Sequence, residues 1–148
     1  MATAVITGAN RGLGLEMAKQ YAAQGWDVIA TAREPEKAEE LNAIDKVTVM
    51  PLDAAEDSSI ETFAEQLGGR PVDLFINNAG IYGPSELDRD RWLDLFNVNV
   101  VGPVKLATAL KDNVAKSADK KMVVISSQVG SIAENESGTM MYYRTSKA

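Results

Sequence analysis

The feature that most constrains the fold is a regular alternation of short β-rich apolar runs with segments of helical periodicity. Residues 3–7, "TAVIT", open the series as a strand. From Gly12 to Gln24, Leu13, Met17 and Tyr21 recur at helical spacing, and Gly25 closes the segment. A second strand is predicted at 27–32, a short helix at 34–41 with Pro35 in its first turn, and a third strand at 46–50. "SSIETFAEQL", 58–67, reads as a helix opened by a capping box of Ser58 and Glu61. Strands at 71–77 and 121–127 then flank helices at 86–96 and 99–116. Parallel neighbours need a crossover, and a helix supplies it. The alternation therefore predicts the α/β class, a doubly wound parallel sheet in three α/β/α layers. No repeat or low-complexity linker interrupts the 148 residues, so residues 1–148 read as one domain. Flavodoxin-like and other nucleotide-binding domains share this pattern, which carries no activity by itself.

Composition narrows the chemistry. There is no cysteine, which removes disulfides and thiolate metal sites, and no histidine, which removes the commonest general base and metal ligand. Proton transfer must fall to Tyr, Lys, Asp, Glu or a Ser relay. The net charge of −6, with scattered basic residues, argues against nucleic acid as a partner. No apolar stretch approaches a membrane span, and "MATAVITGAN" is too soon interrupted by glycine to be a signal peptide. A reducing, cytoplasmic setting is the expectation.

"TGANRGLG", Thr7 to Gly14, follows the first strand and opens the first helix. Gly8, Gly12 and Gly14 allow a tight turn and close backbone approach to a ligand, and the helix start offers free N–H groups and a positive dipole end for a pyrophosphate. Asn10, Arg11 and Leu13 of the same loop are taken as further cofactor contacts. No Gly-Lys-Ser/Thr ends the loop, so it is not a phosphate loop of the Walker type. At the end of the second strand, where a carboxylate would bind a ribose 2′-hydroxyl, stand Ala32 and Arg33. A guanidinium there, helped by Arg11, suits a 2′-phosphate, so NADP(H) is expected over NAD(H).

The ordered set "TGANRGLG", "NNAG" at 77–80, "NVNVVG" at 97–102, "ISSQVGS" at 125–131 and "YRTSK" at 143–147 resembles the short-chain dehydrogenase/reductase family. Within it the chain is similar to the carbonyl-reductase-like branch that includes the sniffer and C-factor proteins. The resemblance implies a Rossmann-like fold with NADP(H) as cofactor. It implies that Asp53 contacts adenine, that Asn77, Ala79 and Gly80 lie against the adenosine, and that Asn99, Ser127, Tyr143 and Lys147 form a catalytic tetrad. Ser126 and Ser131 are the competitors of Ser127. Tyr142 has Ser146 rather than a lysine four residues on, and reads as a packing or substrate-side aromatic.

The implied chemistry suits the residue types. A carbonyl taking up a hydride develops negative charge on oxygen and then needs a proton. A phenol holds its proton to a pH near 10, and a lysine one helical turn away favours giving it up. Tyr143 would then be the general acid/base, Ser127 the donor to the carbonyl oxygen, and Asn99 the holder of a water that feeds protons to Lys147. Lys147 could also hold the nicotinamide ribose. The substrate is a small carbonyl or alcohol, and a homodimer or homotetramer is the implied assembly of the full-length form. A non-catalytic NADP-binding or signalling module, or an inactive fragment of a reductase, is the alternative reading. Family members continue for roughly another hundred residues past the lysine. The resemblance thus implies a sequence stopping inside its active site, with strands and substrate segments still to come and the fifth strand left as an open apolar edge.

Overall fold

The computed structural model describes residues 1–83 and 88–148. Five strands form one parallel sheet in the order β3-β2-β1-β4-β5: β1 Thr3–Ile6, β2 Asp27–Ala32, β3 Val47–Pro51, β4 Leu74–Asn77 and β5 Lys121–Val124. The register sets Val5 beside Ile29 and Phe75, and Ile76 beside Val123. The chain runs outward from β1 to β3, then returns to β4 on the other side of β1. That reversal opens a crevice at the carboxyl ends of β1 and β4, where ligands of such sheets bind.

The helices are α1 Gly12–Ala23, α2 Glu39–Asn42, α3 Asp57–Leu67, α4 Arg89–Phe96, α5 Gly102–Ala115 and α6 Met141–Lys147. Strand residues alternate faces, and each face has its own core. Ala4, Ile6, Val28, Ala30 and Ile76 pack with Leu15, Ala18 and Ala22 of α1 and Leu41 of α2. Val5, Ile29 and Phe75 pack with Ile60, Phe63 and Leu67 of α3 and Leu106, Leu110 and Val114 of α5. The expected three layers are present. Among the described residues β5 pairs only with β4, and Met122, Val123 and Val124 are exposed.

Gly25 ends α1 as expected, and the bonds are those of a Schellman motif: Gly25 N–H to Ala22 O at 2.9 Å and Trp26 N–H to Tyr21 O at 3.1 Å. The Tyr21 and Trp26 rings meet edge-on across it.

Several expected boundaries are corrected. The Ser58–Glu61 capping box does not form, because α3 begins at Asp57 and Ser59 Oγ instead accepts the Asp53 N–H at 2.8 Å. The helix expected at 34–41 is a 3₁₀ turn at Pro35–Lys37 followed by the short α2, interrupted at Ala38. β4 begins at Leu74 rather than 71, since Val72 N–H turns to Asn113 O at the end of α5. β5 ends at Val124, three residues early. The helices expected at 86–96 and 99–116 run into one another through a π turn at Asn97–Val101. Residues 86 and 87 of the first lie outside the described residues. Asp88 caps α4, its Oδ1 accepting N–H bonds from Asp90 and Arg91 at 3.0 and 3.1 Å.

Candidate active site

The glycine loop is stitched to the strand ends on either side. The Thr7 hydroxyl donates to Asn77 Oδ1 at 3.2 Å and accepts the N–H groups of Asn78 and Ala79, both at 3.0 Å. Asn78 Nδ2 donates to the carbonyls of Thr7 and Gly8 at 2.9 and 3.1 Å. From the other side, Ala9 N–H donates to Thr31 O at 2.8 Å. Gly8 and Gly12 hold φ values of +62° and +58°, a region in which a side chain is strained. Neither Thr7, Asn78 nor Thr31 was among the sequence-predicted site residues. Thr7 and Asn78 had a visible signal, short polar side chains at strand ends beside a loop with unpaired backbone groups. Thr31 had none.

Below this loop lies a groove of about 660 Å³, walled by Gly8 to Leu13 except buried Ala9, by Ala32 and Arg33, by Asp53, and by Ala79 and Gly80. Asn77 sits behind that wall, buried, its Nδ2 without a partner. The α1 N-terminus opens into the groove uncapped: Arg11 is the capping residue and its side chain makes no cap bond. A Cβ on Gly12 would meet nothing within 4 Å, so the groove reaches the helix backbone. Arg33 and Lys37 stand at the β2 end, with Glu34 paired to Lys37. Asp53 is turned locally, Oδ1 accepting Ala55 N–H at 2.9 Å. Uncapped N–H donors, a positive dipole end and an arginine at the β2 tip, where the carboxylate of Glu34 is paired to Lys37, suit a phosphorylated dinucleotide.

Two residues of the proposed tetrad, Asn99 and Lys147, stand beside Gly80 of the groove wall. Asn99 sits in the π turn and is buried. Its Oδ1 accepts Ile81 N–H at 2.8 Å, and its Nδ2 donates to Ile81 O at 2.9 Å and to Ser146 Oγ at 3.0 Å. Both of its amide hydrogens are therefore engaged, and its Oδ1 accepts one bond. Its main-chain carbonyl differs: the α-helical donor would come from residue 103, which is Pro103 and has no N–H.

Tyr143 and Lys147 share one face of α6, with Lys147 Nζ 5.8 Å from the Tyr143 ring centroid. Lys147 Nζ donates to Ile125 O at 3.0 Å, and burial draws its pKa below the ordinary lysine value. Ser127 hydrogen-bonds neither of them; its Oγ accepts Val129 N–H at 3.3 Å and caps a 3₁₀ turn at Gln128–Gly130. Of its competitors, Ser126 Oγ donates to Lys147 O at 2.7 Å, and Ser131 Oγ accepts Glu134 N–H at 3.3 Å. Tyr142 is the packing aromatic, buried edge-on against Trp92 at 5.1 Å. Tyr143 instead lies tilted against the exposed ring of Tyr82. The groove reaches Asn99 and Lys147 at Gly80, where a Cβ would stand 3.3 Å from Asn99 Oδ1 and 3.5 Å from Lys147 Nζ.

Comparison with known proteins agrees with the fold. The short chain dehydrogenase family profile matches residues 2–148. The chain belongs to that family. A relative in this family, the oxidoreductase YusZ of Bacillus subtilis, is 33% identical over 138 residues, covering 86% of this chain and 49% of the relative. The chain spans about half the length of the curated relatives it matches. Among solved short-chain dehydrogenases, a carbonyl reductase from Pseudomonas aeruginosa in complex with NADP is 34% identical with a TM-score of 0.89, covering 99% of this chain and 70% of that one. The carbonyl reductase Sniffer of Caenorhabditis elegans is 35% identical with a TM-score of 0.86, covering 99% and 74%. Among the described residues, no helix is long and apolar enough to cross a membrane.

Proposed function

We propose that this chain is the cofactor-binding and catalytic part of an NADP(H)-dependent oxidoreductase that interconverts a small carbonyl compound and its alcohol. The observation that carries the reading is the shared wall at Gly80, which puts the end of the groove within van der Waals reach of Asn99 and Lys147. The pyrophosphate would lie on the uncapped α1 N-terminus. The adenosine would lie between Asp53 and the Asn77–Gly80 segment, with Arg33, Arg11 and Lys37 around the 2′-phosphate. The bound dinucleotide supplies the hydride in reduction and accepts it in oxidation.

Tyr143 donates a proton from its phenol to the carbonyl oxygen in reduction and recovers it in oxidation. Ser127 turns its hydroxyl from Val129 to that oxygen and steadies the charge that develops there. Lys147 sets its ammonium beside the Tyr143 ring, and its lowered pKa eases proton return to the phenol. The Asn99 side chain fastens the Ile81 backbone, and its main-chain carbonyl, which Pro103 leaves without an α-helical donor, holds the water that recharges Lys147. A homo-oligomer paired through α5 belongs to the same reading.

The test is Tyr143→Phe against Tyr142→Phe in the full-length protein, following NADPH absorbance with a panel of aldehydes and ketones. Tyr143→Phe should abolish turnover and keep NADPH affinity, while Tyr142→Phe keeps both. Turnover surviving in Tyr143→Phe overturns the assignment. Cofactor binding by a parent protein that turns over no carbonyl would favour a binding module instead.

A further inference from the structure

The hydrogen-bonded chain from the Ile81 backbone to α6 contains one side chain without a part in the proposed chemistry, Ser146. It is buried, 6% exposed. Its hydroxyl donates to Tyr143 O at 2.8 Å and accepts from Asn99 Nδ2 at 3.0 Å. A serine bonding back to its own helix is ordinary. The other bond is not local, because it joins α6 to a π turn 47 residues earlier in the chain.

Three hydrogen bonds tie the last turn of α6 to the strand ends and the groove. Lys147 Nζ reaches Ile125 O and Ser126 Oγ reaches Lys147 O, and both lead to the end of β5. The Ser146–Asn99 bond alone leads to the groove, through the paired bonds between Asn99 and the Ile81 backbone. A helix of seven residues has little stability of its own, so these ties fix where its side chains stand. Removing the Ser146 hydroxyl would leave one N–H of the buried Asn99 amide without an acceptor. A buried amide in that state seeks another partner or admits water. In either case α6 stays on β5 and loses its hydrogen-bonded tie to Ile81, leaving the tilted packing of Tyr143 on Tyr82.

We propose that Ser146 is a positioning residue that holds Tyr143 and Lys147 in register with the cofactor groove by anchoring Asn99. The inference rests on the oxidoreductase reading for its kinetic consequence, and its structural consequence stands separately. It assigns the two hydroxyls beside Lys147 different tasks: Ser126 holds the helix to the sheet, and Ser146 holds it to the groove.

Ser146→Ala and Ser146→Thr in the full-length protein test this. Hydrogen exchange at the Ile81 amide, kcat and KM for 4-nitrobenzaldehyde, and NADPH affinity by fluorescence are the readouts. In Ser146→Ala, Ile81 exchange should rise about tenfold and kcat fall about tenfold, the scale of one unsatisfied buried amide group. NADPH affinity and KM should stay within about twofold of the parent. Ser146→Thr keeps the hydroxyl and should recover most of both losses. Unchanged Ile81 exchange in Ser146→Ala overturns the proposal, as does a kcat loss that Thr does not repair or that comes with an equal loss of NADPH affinity. A parent without carbonyl turnover removes the oxidoreductase reading, and Ile81 exchange then decides the anchoring role by itself.

Discussion

Gly80 stands so near Lys147 that a Cβ added to it would lie 3.5 Å from the ammonium nitrogen, and 3.3 Å from Asn99 Oδ1 on the other side. Asn99 has little freedom to yield, since the Ile81 backbone holds it at both ends of its amide. Gly80→Ala should therefore fold, shift Asn99 and Lys147 by a few tenths of an ångström, and lower kcat by about tenfold, as mild overpacking at a reacting centre does. Steady-state kinetics with an NADPH titration checks this. An unchanged kcat would mean that the spacing at Gly80 has no bearing on turnover.

The loop glycines should fail in different ways. A Cβ at Gly14 would come within 2.6 Å of both Asn78 Nδ2 and Gly8 O, so Gly14 serves packing of the loop on its brace. Gly14→Ala should cost about 2–3 kcal/mol of stability, the upper part of the overpacking range. At Gly12 the added Cβ meets nothing, but the backbone is left-handed, a penalty of about 1–2 kcal/mol. Gly12→Ala should keep more stability while losing NADPH affinity, because Gly12 lines the groove at the uncapped helix start. Urea denaturation beside NADPH titration separates the two; equal stability losses would contradict the packing role given to Gly14.

Cofactor choice should depend on Arg33. It is exposed at the tip of β2, after Ala32, and the neighbouring carboxylate of Glu34 is paired to Lys37. Arg33→Ala should weaken NADPH binding by about tenfold to a hundredfold, the worth of charge-assisted hydrogen bonds to phosphate, and leave NADH nearly unaffected. The discrimination should shrink in high salt. Equal losses for both cofactors would place the 2′-phosphate elsewhere, with Arg11 and Lys37 as the next residues to replace.

The sheet and its order of elements were legible because each strand is a short β-rich run and each helix has its own apolar face. Gly25 was legible for a local reason, a helix stop that needs only its neighbours. What escaped depends on residues far apart in sequence. Ser58 and Glu61 fit a capping box by spacing, yet the bond from Asp53 N–H to Ser59 Oγ fixes a different helix start. The π turn carries no periodicity signal, and it turned two expected helices into one continuous run that buries Asn99. Candidate site residues were found through motif order, which names positions and not partners. It therefore named Asn99 without the partners of its amide, Ile81 and Ser146. Asn78 lay inside a recognised motif and was passed over, although its side chain is what ties that motif to the glycine loop.

Lys147 should leave a mark on the pH dependence of stability. Burial lowers its folded-state pKa below the 10.5 of a free lysine, and the unfolded chain restores that ordinary value. Between the two, the unfolded state binds more protons than the folded one, so unfolding free energy rises with pH across that window. The gain is complete above the unfolded value and is lost as pH falls through the folded one. The bond from Nζ to Ile125 O acts the other way by favouring the charged form, but desolvation is the larger effect. Lys147→Met removes the titration and keeps the aliphatic stem in place. The stability difference between parent and variant, followed by urea denaturation from about pH 8 to about pH 10.5, should therefore move in the parent's favour as pH rises. A difference moving the opposite way would mean that the ammonium is held by its carbonyl partner more strongly than burial disfavours it, and that Lys147 enters the reaction as a fixed charge rather than as a proton carrier.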